Sequence, residues 1–123
     1  MSSAYKKGFG PWAKGSQLLI DEAIAYDPAI SNVQFTVRPE YSPRLMVAFG
    51  KTILKRGEVP RVRIGPMAFV SRQELIDTLI HEEMHVRIAL RESFRAHLLR
   101  SELVLEENYV ERVTQRFMER RFK

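Results

Sequence analysis

Ser71-Arg72-Gln73-Glu74-Leu75-Ile76-Asp77-Thr78-Leu79-Ile80-His81-Glu82-Glu83-Met84-His85-Val86 is the stretch on which the reading of this chain turns. It opens with S-x-x-E, a capping box that marks a helix N-terminus, and Leu75, Ile76, Leu79 and Ile80 follow at the spacing of one apolar helix face. The pattern predicts a helix from about Arg72 to about Leu90. About three turns in, His81, Glu82 and His85 spell H-E-x-x-H. Four residues apart on a helix, the two imidazoles project from one face, which suits two ligands to a single zinc ion. Glu82 would then stand where a carboxylate can take a proton from water polarised by the metal. Each residue type has a reason. Neutral imidazoles leave Zn²⁺ positive enough to bring the pKa of bound water to about 7, and a carboxylate serves as general base.

Composition sets the frame around that helix. The chain has 123 residues, 45% of them hydrophobic, with no internal repeat, so we expect a single domain over 1–123. It has no cysteine, which excludes a disulfide framework and leaves His, Asp and Glu as the ligands for any metal. The first residues lack the apolar run of a signal peptide, and no stretch approaches the roughly eighteen apolar residues of a membrane span, so a soluble chain is expected. The net charge is +5, and basic residues gather late, from Arg87 to Lys123. Such a balance suits a solvated helix face, an acidic protein partner or nucleic acid. Nucleic acid is the less favoured partner, because no Gly-rich phosphate loop, RNP-like motif or zinc finger accompanies the charge.

Upstream, residues 1–14 read as an irregular segment with an aromatic turn at Phe9-Gly10-Pro11-Trp12, Trp12 acting as a lid on the core. Ser16 to Tyr26 reads as an amphipathic helix closed by Asp27-Pro28. Asn32–Arg38 alternates apolar and polar residues as a half-buried strand, and Arg44–Phe49 is an apolar run ended by Gly50, a second strand. Residues 51–60 read as a basic connector, and Arg61–Ile64 as a third strand broken by Gly65-Pro66. Past the motif helix the boundary near Glu92-Ser93-Phe94 is open. From Ser101 a last helix carries Leu103, Val110, Val113 and Phe117 on one side. The expected fold is α+β: a small, mostly antiparallel sheet of about three strands packed on the motif helix, with an N-terminal helix and a long C-terminal helix.

A catalytic zinc needs a third protein ligand and an open position. Glu106 lies three residues after Leu103 and four before Val110, so it projects from the apolar face of the last helix, where an uncompensated carboxylate is costly to bury. It is the first choice, with Glu107 and then His97 as alternatives; Glu107 and Glu111 turn toward the solvated flank. Tyr109, about one turn from Glu106, is a candidate oxyanion donor or else a core tyrosine.

From about Arg61 to Arg120 this arrangement resembles the zincin metallopeptidases, in the branch where H-E-x-x-H is joined by a Glu from a later helix. It departs from the best-known members. Asn108-Tyr109 follow Glu106-Glu107 with no N-E-x-x-x-D pattern, and Ile88 and Arg91 stand where the metzincin motif has Gly and its third His. The resemblance implies a zinc-dependent peptide hydrolase with metal ligands His81, His85 and Glu106 and with Glu82 as base. Its protein or peptide substrate would lie extended along an edge strand near Arg61–Ile64. The compact layout is also similar to metallopeptidase domains of bacterial polymorphic toxins, which implies delivery within a secreted effector and an acidic inhibitor (immunity) protein as partner. The alternatives are a SprT-like protease acting near DNA, with His97 as third ligand, and a non-enzymatic basic module that binds nucleic acid or an acidic partner.

Overall fold

The computed structural model describes residues 2–55, 57–91 and 100–121. The elements run in the order α1 (Ser3–Lys7), α2 (Gln17–Tyr26), β1 (Glu40–Tyr41), β2 (Gly50–Ile53), β3 (Arg61–Ile64), a 3₁₀ turn (Pro66–Val70), α3 (Arg72–Arg91) and α4 (Arg100–Arg121). The fold is α+β, with a three-stranded sheet packed on the motif helix α3. Among the described residues no helix is long and apolar enough to cross a membrane. The open boundary near Glu92-Ser93-Phe94 and the candidate His97 lie outside the described residues.

The helix signals act as expected. Ser71 Oγ accepts the Glu74 N–H at 3.0 Å and Ser16 Oγ accepts the Leu19 N–H at 3.2 Å, each satisfying an amide that the helix itself leaves free. Leu75, Ile76, Leu79 and Ile80 are buried with Ile20, Ile30, Val62, Ile64 and Phe69. One helix was not expected. Ser2 caps α1 through the Tyr5 N–H at 3.1 Å, inside the segment read as irregular. Trp12 is no core lid; it is 93% exposed, and Phe9 does the packing, edge-on to Tyr5 and stacked on Phe69.

An ion pair between buried Asp27 and partly exposed Arg72 ties these parts together. The Asp27 carboxylate, wholly buried at the end of α2, takes two hydrogen bonds of 2.6 Å from Arg72, one from the Ala29 N–H at 3.0 Å and one from the Tyr5 hydroxyl. Burial alone would raise the pKa of Asp27, but the Arg72 and Tyr5 hydrogen bonds with the Ala29 amide hold it below its ordinary value.

The sheet departs from expectation in ways that matter for the site. Its order is β1-β3-β2, with β2 antiparallel to β3 and β1 parallel to it, so only one of its two pairings is antiparallel. Asn32–Arg38 keeps its alternation, Val33, Phe35 and Val37 packing on the core, yet it joins no strand. Side chains of α3 take the place of a sheet neighbour. Glu83 accepts the Thr36 N–H at 3.0 Å, and Arg87 donates to the Gln34 carbonyl at 2.8 Å. The second strand starts where it was expected to end. Met46 and Val47 are exposed, and β2 runs from Gly50 through residues read as connector. The reason is a close approach of strand to helix: a Cβ at Gly50 would lie 2.7 Å from Thr78 Cγ2 and 3.1 Å from Glu82 Cγ.

Candidate metal centre

Helix α3 places His81, Glu82 and His85 beneath β2, and α4 packs across α3 to bring Glu107 against both imidazoles. His81 Nε2 lies 2.8 Å from Glu107 Oε1, and His85 Nε2 lies 2.9 Å from Glu107 Oε2. The three residues each offer one ligand atom, all within 4.8 Å of one another. His81 and His85 are mostly buried and Glu107 is half exposed, so the group sits at the surface of the core with one side open. His81 Nδ1 lies 3.3 Å from Glu111 Oε1, which directs Nε2 toward Glu107. Two imidazole nitrogens and a carboxylate oxygen converging from two helices are the donor set that suits a zinc ion with a coordination position left over.

Glu82 differs from its neighbours. It is 6% exposed, and the Thr52 hydroxyl on β2 donates to its Oε1 at 2.8 Å. Among the described residues no hydrogen bond reaches Oε2, which lies on the Gly50 side. Burial raises the pKa of this carboxylate, and the nearby Glu107 charge adds to the rise; the Thr52 bond and the two imidazoles oppose it. A carboxylate so placed is more basic than one in water.

Two clefts meet at Gly50, His81 and Glu82. One, of about 300 Å³, is lined also by Phe49, Glu74, Asp77 and Glu111; the other, of about 260 Å³, by Lys51, Thr52, Leu54, His85 and Glu107. A larger hollow of about 650 Å³ lies away from them in the N-terminal loop, where Lys7 and Lys14 are the ionisable lining groups among the described residues. β3 is the central strand, so Arg61–Ile64 offers no free edge; the edge that borders both clefts is β2.

Of the residues singled out in the sequence, His81, Glu82 and His85 come together as their spacing requires. Glu106 and Tyr109 belong to α4, but their side chains lie outside the described residues. Glu107 turns to the exposed flank of α4, as expected, and still reaches both histidines, because the imidazoles stand at the open side of α3 rather than in the core. Glu111, Thr52 and Gly50 were not anticipated. The four-residue spacing of Glu107 and Glu111, matching that of His81 and His85, was the available signal for the first. No family model matches this chain, and no curated protein or solved structure matches it.

Proposed function

We propose that the chain is a zinc-dependent peptide hydrolase in which His81, His85 and Glu107 hold the metal and Glu82 is the general base. The observation that carries this reading is the convergence of both imidazole Nε2 atoms on one carboxylate, beside a buried glutamate with an oxygen that, among the described residues, is unbonded and faces open clefts. When bound, zinc would supply the positive charge that acidifies water and polarises the carbonyl of the bond to be cut.

The chain's own residues supply the rest. An extended peptide lies along the free edge of β2, which offers main-chain donors and acceptors beside Glu82. Glu82 Oε2 takes a proton from water as its oxygen bonds to the carbonyl carbon, then gives that proton to the departing amine as the C–N bond breaks. Thr52 holds the other oxygen of Glu82 in place, and the Glu111 contact keeps His81 turned toward Glu107.

The test is hydrolysis of an unfolded protein substrate by the zinc-supplemented chain. Cleavage that a chelator stops, that added zinc restores and that Glu82→Gln lacks supports the proposal. A zinc-loaded chain that cleaves nothing, or a Glu82→Gln variant as active as the parent, overturns it.

A further inference from the structure

The two clefts that meet at Glu82 differ in charge. The one beyond Gly50 and Thr78 presents Glu74 and Asp77, three residues apart on α3, and Glu111 from α4. Among the described residues no lysine or arginine lines it, although the chain carries 20 of them and a net charge of +5. The other cleft has Lys51 and Leu54 in its wall. Phe49, at the mouth of the acidic cleft and 39% exposed, adds an aromatic surface. Glu82, 6% exposed with Oε2 unbonded among the described residues, lines the same cleft, so this space opens directly on the group assigned to proton transfer.

We infer that the acidic cleft receives a lysine or arginine side chain of the substrate, carried by one of the two residues flanking the cleaved bond. This assignment rests on the peptidase reading above. Among the described residues no lysine or arginine pairs with these carboxylates, and Glu111 has His81 Nδ1 at 3.3 Å. Burial raises the pKa of Glu74, and Asp77 adds to it; burial likewise raises that of Asp77, opposed by His81 and reinforced by Glu111. An incoming cation relieves that repulsion and meets acceptors on two sides, while its aliphatic stem or guanidinium lies against Phe49. An acidic side chain is repelled from the same place, so the cleft selects as well as binds.

The experiment compares peptides that differ only in lysine, norleucine or glutamate at each position flanking the cleaved bond, with kcat/KM measured for the zinc-loaded parent and for Glu74→Gln, Asp77→Asn and the double variant. Zinc content is measured on every sample, which checks that the isosteric variants retain fold and metal. The expected result is a lysine-over-norleucine preference of about tenfold or more at one flanking position, glutamate poorer still, with the preference falling toward unity in the double variant. Hydrolysis with no preference for lysine, or a preference that survives the double variant, overturns the cleft assignment and leaves the peptidase reading standing. Absence of zinc or of any cleavage overturns both.

Discussion

Glu82 and Glu83 are neighbours on one helix and equally removed from solvent, yet they face opposite fates. Glu83, 2% exposed, takes hydrogen bonds from the Thr36 N–H, the Thr36 hydroxyl at 2.7 Å and Arg87 Nε at 2.7 Å. That side of α3 is closed, and Glu83's acceptors are satisfied by residues that fix the irregular segment around Thr36 to the core. Among the described residues the Glu82 carboxylate takes one hydrogen bond, from Thr52, and its second oxygen faces clefts bounded by β2 and α4. A satisfied buried carboxylate contributes to the fold; a half-satisfied one at an open cleft costs stability and is suited to proton transfer. The comparison teaches that burial alone does not separate the two roles, whereas the count of hydrogen bonds does.

Substitutions can break this contrast. Glu82→Gln is expected to lower kcat about a thousandfold while zinc binding and melting temperature stay near the parent's. A fall in stability of the same order as for Glu83 variants would erase the distinction. At the far end of the same helix, Asp27→Ala removes the acceptor of two Arg72 hydrogen bonds and of the Tyr5 hydroxyl and should destabilise the fold by about 3 kcal/mol in urea unfolding at pH 7. Because the folded-state pKa of Asp27 is depressed, its contribution is full above about pH 4 and is lost as pH falls through the folded value. The variant should therefore show a shallower loss of stability than the parent on acidification. An unchanged slope would mean that other carboxylates govern acid unfolding.

Smaller changes sharpen the picture. Glu83→Gln keeps shape but loses charge toward Arg87 and should cost about 2 kcal/mol, with the activity of the remaining folded molecules close to the parent's. Activity lost beyond the folded fraction would give Glu83 a share in the chemistry. Thr52→Val removes the Thr52 hydrogen bond to the Glu82 carboxylate and should lower kcat by about tenfold or less, with little effect on the melting temperature.

Much of this was legible in the sequence where one element suffices to specify it. The Ser71 cap, the apolar face from Leu75 to Ile80 and the H-E-x-x-H spacing depend only on helix period, and each fell into place. What depended on a second element was harder. The alternation at Asn32–Arg38 is real, but no local pattern tells whether a strand or the side chains of a helix will satisfy that backbone, and here Glu83 and Arg87 do so. Gly50 reads as the end of a strand, whereas the contact that demands glycine is made by Thr78 and Glu82, far away in sequence. The candidate metal group shows the same limit. Both histidines are set by one helix, but the carboxylate that meets them depends on how α4 lies across α3; Glu107, the second choice, makes contacts to both, and the Glu106 side chain lies outside the described residues.

The most direct measurement is a zinc titration of the purified, metal-stripped chain beside Glu107→Ala, Glu106→Ala and His85→Ala. The account predicts about one zinc per chain in the parent and in Glu106→Ala, with affinity reduced at least about a hundredfold in Glu107→Ala and His85→Ala. No zinc binding by the parent at excess metal, or full binding by Glu107→Ala with loss in Glu106→Ala, would contradict it.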